Sequence, residues 1–127
     1  MKPICIVTLI VTLIVTLYVL LSSVVAFAQL TVNTYESSKA IEADRQLLAS
    51  YVSGLGRGLL WYNAAVNVKH EVRLFCPPPK LALRGDNFLD MLHRKIKDDR
   101  QKGNLSPDTP IELLLLEALQ EAFPCKD

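Results

Sequence analysis

Few residues in this chain could carry out covalent or metal chemistry. It has three cysteines (Cys5, Cys76, Cys125) and two histidines (His70, His93). A cysteine nucleophile needs a base within reach, and no local signature places either histidine in that role. Zinc would call for closely spaced ligands, yet the chain has no C-x-x-C or H-x-x-H. A metal site built from both distal cysteines with His70 or His93 is therefore a rival without supporting spacing. His70 lies at a predicted helix end, where a cation is favoured, and His93 reads as a surface residue. The glycine run Ser53-Gly54-Leu55-Gly56-Arg57-Gly58 could suggest a phosphate cradle. Such loops follow a buried strand and a turn, whereas a helical apolar period runs straight through this one. No catalytic, cofactor-binding or metal-binding residue is expected, and the chain does not read as an enzyme.

What remains for the cysteines is a bridge. Cys5 lies within an apolar run, Ile4 to Leu21, which follows Lys2 and precedes Ala26-Phe27-Ala28. A basic start, an apolar middle and an A-x-A site describe a secretory signal peptide, cut between Ala28 and Gln29. An uncleaved anchor is the alternative, because the run reaches bilayer-spanning length. Cleavage leaves Cys76 and Cys125 as an even pair in an oxidising, periplasmic compartment. Their bridge would stabilise the fold by about 4 kcal/mol in the chain-entropy view.

The chain has 14 basic and 13 acidic residues. Loss of Lys2 makes the domain at 29–127 formally neutral, which argues against a nucleic-acid partner. With the signal removed, no membrane association is expected.

The elements that must position these residues read as helices. Asn33 and Glu36 have the spacing of a cap and its reciprocal partner. From there Ile41, Leu48, Val52, Leu55, Leu59, Tyr62 and Val66 mark one face of a single long helix. Beside it runs a second stripe, Leu47, Tyr51, Gly54, Gly58, Trp61 and Ala65, whose small residues would admit another backbone closely. Pro77, Pro78 and Pro79 end the helical pattern and hold Cys76 on a stiff connection.

Gly85-Asp86 begins a second helix with Phe88, Leu89, Leu92 and Ile96 inward and His93, Arg94, Lys95, Lys97 and Asp98 outward. A polar loop from Asp98 to Asp108 follows. Thr109, Pro110 and Glu112 read as the capped start of the last helix, which Phe123-Pro124 stops. On it Ile111, Leu114, Leu115, Ala118 and Ala122 share one side. Leu113 and Leu116 fall among Glu112, Glu117 and Gln120, so either the long helix covers them within one chain or a second copy does. The fold class is all-α, a small bundle of three to four helices with one disulfide.

Four motifs then become familiar: Tyr51–Asn63 (YVSGLGRGLLWYN), Phe75–Pro78 (FCPP), Leu81–Leu92 (LALRGDNFLDML) and Pro110–Cys125 (PIELLLLEALQEAFPC). Together they resemble the Rap/Tai immunity family of type VI secretion. The resemblance implies a small helical periplasmic protein, often a homodimer, that binds and inhibits a peptidoglycan amidase toxin. A dimer through Leu113 and Leu116 would leave the basic segment Arg94, Lys95, Asp98, Arg100 and Lys102 to meet the toxin. A small periplasmic stress or chaperone-like protein is the second reading.

Overall fold

The computed structural model describes residues 11–16 and 29–126. Apart from residues 11–16, which are helical, the expected signal segment and its cleavage point lie outside the described residues. Among the described residues no helix is long and apolar enough to cross a membrane. The domain is all-α, with α1 (Val32–Ser38), α2 (Glu42–His70), α3 (Gly85–Gln101) and α4 (Ile111–Ala122) around one core.

The expected single first helix is two. Thr31, not Asn33, caps α1: its backbone is extended and its side chain accepts from the Thr34 amide. The chain then turns through Lys39 to Ile41, and Ile41 is extended and exposed. The turn lets α1 bury Val32 and Tyr35 while α2 independently buries Leu48 and Val52. Tyr62, expected to face inward, is exposed, and Leu55, Leu59 and Val66 are half-buried.

The start of α4 also differs from expectation. Backbone bonds stitch the two N-terminal ends together: Val32 N donates to Thr109 O at 3.0 Å, and Ile111 N donates to Leu30 O at 2.9 Å. The orphan amide at the helix start is thus satisfied by a neighbouring strap, and Pro110 holds the cap position. Glu112 is free to turn elsewhere, and its Oε1 accepts from the Tyr51 hydroxyl on α2.

Helix α3 matches its sequence pattern. Phe88, Leu92 and Ile96 are buried, joined by Met91 and Lys95. The Phe88 ring lies against α2 at Gly56, where a Cβ would come within 2.4 Å of Phe88 Cγ. The close approach that the sequence assigned to Gly54 and Gly58 therefore belongs to Gly56, because only that glycine lies on the core side. At Gly54 and Gly58 an added Cβ would meet nothing within 4 Å.

The connection from α2 to α3 is fixed at two points. Buried Asn63 works as an internal clamp: its Nδ2 donates to Phe75 O at 2.8 Å, and its Oδ1 accepts from Leu74 N at 2.7 Å and Phe75 N at 3.3 Å. Those three bonds satisfy the backbone beside fully buried Phe75, which would otherwise carry a desolvation cost. Next along the chain, Cys76 is bridged to Cys125 as expected, with Cα atoms 4.9 Å apart. The Cys76 amide donates to Phe123 O at 2.7 Å, so the bridge and a backbone bond join the same two segments.

Candidate binding surface

The expected partner-binding residues do not all share one surface. Arg94, Asp98, Arg100 and Lys102 are exposed. Lys95 is not: it is 9% exposed and turns inward between α3 and α4. Its placement on the outer face is thereby corrected. Lys95 completes the spacing Phe88, Met91, Leu92, Lys95, Ile96, which is the core stripe of an amphipathic helix. That spacing could have located it from sequence, had its charge not argued for water.

A buried ammonium needs partners. Lys95 Nζ has three carboxylates: Glu121 at 2.5 Å, Asp99 at 3.3 Å and Glu117 at 3.4 Å. Desolvation works against its charge, yet the hydrogen bonds from Glu121 and Asp99 outweigh it and hold the pKa above the ordinary lysine value. The acidic side of α4 is thus partly consumed in fastening α3 from behind. Lys95 positions the helix that carries the exposed charges, and it is not itself a contact residue.

A second fastening lies on the opposite flank. Tyr35 of α1 is fully buried, and its hydroxyl is 2.6 Å from His93 Nε2, with the two rings edge-on. Burial, reinforced by Glu36, raises the phenol pKa well above its usual value. Partial burial of the imidazole, then the Lys39 ammonium, lowers the His93 pKa against the opposing pull of Glu36 and Asp90. Both shifts favour a neutral pair in which Tyr35 Oη donates to Nε2. His93 remains solvent-accessible along its other edge.

Between α1 and α3 these residues border a cleft of about 270 Å³ lined by Glu36, Lys39, His93, Ile96, Lys97 and Arg100. Arg94 and Asp98 form the adjacent row of α3, each one position beyond His93 and Lys97. Arg100 Nη2 lies 3.8 Å from Glu36, a long and exposed pair that holds little. The arrangement offers a rigid helix face with cationic groups on its rim and a shallow cleft beside it. It can bind by complementarity, and no acid–base pair or nucleophile is assembled there.

The two leucines behave differently from each other. Leu113 is exposed at 48%, whereas Leu116 is half-buried and packs on the core. Cover within one chain therefore accounts for much of Leu116 and leaves Leu113 open. The sequence gave no sign of two long-range contacts, Tyr35 with His93 and Tyr51 with Glu112, because each joins separate helices through a side chain that also reads as apolar filler. Burial and the Glu112 hydrogen bond push the Tyr51 phenol up to about 12.

No family model, curated protein or solved structure matches the chain.

Proposed function

We propose that this chain is an exported binding protein that occludes a peptidoglycan amidase toxin and so protects the cell that makes it. The four motifs that resemble the Rap/Tai family support the reading. The observation that carries it is the bridge between Cys76 and Cys125, which joins the Phe-Cys-Pro-Pro and Phe-Pro-Cys segments of that resemblance into one rigid frame. Inhibition by occlusion needs a fixed surface, since ordering a loose one would subtract from affinity. Arg94, Asp98, Arg100 and Lys102 stand on that surface, and rim charges of this kind govern association rate and salt dependence.

The test uses an amidase toxin encoded beside this gene. The purified protein should inhibit it stoichiometrically, and Arg94→Glu with Lys102→Glu should slow association while the disulfide and the melting temperature stay unchanged. Full amidase activity at excess wild-type protein would overturn the proposal. A chaperone-like role is the second reading, favoured by exposed Leu47, Trp61 and Val68 on α2. It predicts suppression of aggregation of an unfolded client by the unpartnered protein.

A further inference from the structure

Helix α2 carries an apolar face that no described part of the chain covers. Leu47, Tyr51, Gly54, Gly58, Trp61, Ala65 and Val68 recur at alternating steps of four and three, the spacing of a coiled-coil seam. All are exposed, with Leu47 at 71%, Trp61 at 74% and Val68 at 84%. They lie opposite the buried Leu48, Val52, Gly56 and Asn63. From Gln46 to Val68 the only charged residue is Arg57, so the outer face lacks the polar groups a solvated helix normally carries. Apolar seams of this length mark interaction sites.

The pattern of the seam identifies its occupant. Gly56 is the midpoint of the 29-residue helix Glu42–His70 and stands midway between Gly54 and Gly58. A second copy of α2, laid antiparallel about a two-fold axis at that point, overlaps the helix along its full length of about 43 Å. Gly54 then meets Gly58 of the other copy, which lets the backbones approach closely. Tyr51 meets Trp61, and Leu47 meets Ala65, a large residue against a small one. At each end the acidic first turn, Glu42 and Asp44, faces the basic last turn, Lys69 and His70. The helix dipoles also oppose favourably. A parallel pairing would instead place acid against acid, base against base and Trp61 against itself.

We infer that two copies of this protein associate through an antiparallel pairing of α2 centred on Gly54 and Gly58. Tyr51 is held for that contact by its bond to Glu112. Nothing in the pairing requires the proposed amidase partner, and the α1–α3 cleft involves other residues.

The test uses protein made from the full reading frame and recovered as the cells leave it. Sedimentation should show a dimer. Gly54→Glu with Gly58→Glu places four carboxylates at the centre of the seam, where nothing within one chain obstructs them. That variant should keep its helicity and melting transition while its dimer dissociation constant rises at least about 100-fold. Leu47→Cys combined with Ala65→Cys should give an oxidised covalent dimer, and neither single variant should. Overturning results are a wild type that is monomeric at every concentration, a glutamate variant that dimerises undiminished, or a covalent dimer from Leu47→Cys alone. Monomeric wild type that floats with phosphatidylethanolamine–phosphatidylglycerol vesicles, or that captures an unfolded client, would assign the seam to that occupant and overturn the pairing.

Discussion

Helices α2 and α3 pack against each other through Gly56 and Phe88, yet they distribute their residues in opposite ways. On α3 the division is sharp: Phe88, Met91, Leu92 and Ile96 go in, while His93, Arg94, Lys97 and Asp98 stay out. The exposed face of α3 is content in water. On α2 apolar and small residues go all the way round, and only half of that circumference is buried. A helix of the first kind needs one neighbour, and a helix of the second kind needs two. One chain supplies the first neighbour, and the difference between the helices directs attention to the second.

The largest expected effect concerns what holds the two helices in register. Cys76 sits on the connection between α2 and α3, and its bridge closes a separation of 49 residues. Reduction, or Cys125→Ser, should destabilise the domain by about 2–5 kcal/mol and lower the melting temperature by roughly 10 °C or more. Thermal melts with and without reductant check this, with thiol titration of the native protein as the control. If α3 stays seated by packing alone, the shift will be small and the bridge will count for less than the Gly56–Phe88 contact.

A smaller effect separates the two sides of α2 at positions two residues apart. Gly56→Ala drives a methyl into the Phe88 ring and should destabilise by about 1–3 kcal/mol despite the better helix propensity of alanine. Gly54→Ala meets open space and should stabilise by about 0.5–1 kcal/mol. Chemical denaturation of the two variants side by side gives the sign of each. Equal and opposite signs of this kind are what an inward and an outward glycine must show, and stabilisation by both would mean that Phe88 gives way.

Much of the architecture was legible because periodicity reports it directly. The α3 stripe, the end of α4 at Phe123-Pro124 and the pairing of Cys76 with Cys125 followed from spacing, proline chemistry and cysteine parity. What escaped were contacts where a residue's type argues one way and its position another. Asn63 is polar but lies on the buried side of α2, and only the backbone at Leu74 and Phe75 explains it. Lys95 is charged but falls on the core stripe, and its three carboxylates lie on α3 itself and on α4. The break near Ile41 carries no proline or glycine. It arises from where Tyr35 and Leu48 must both reach, a tertiary demand that local propensity does not record.

The smallest expected effect lies on the charged side of the comparison, at His93. Its imidazole is the group on α3 that the neighbouring α1 reaches, through Tyr35 and Lys39, while Glu36 and Asp90 pull in the opposite direction. Because burial and Lys39 prevail, the folded pKa lies below the ordinary value near 6.5. Above that value both folded and unfolded chains hold a neutral imidazole, and the contribution of the Tyr35 contact is complete. As pH falls through the unfolded value the unfolded chain takes the proton first, so stability declines until the folded pKa is passed. Other carboxylates titrate nearby, and the comparison must therefore be with His93→Gln, which keeps a polar group and removes the titration. The melting temperature of wild type minus that of the variant should be more positive at about pH 7.5 than at about pH 5. The opposite trend would mean that Glu36 and Asp90 dominate the site, and the α1–α3 cleft would then favour a cationic imidazole at its edge.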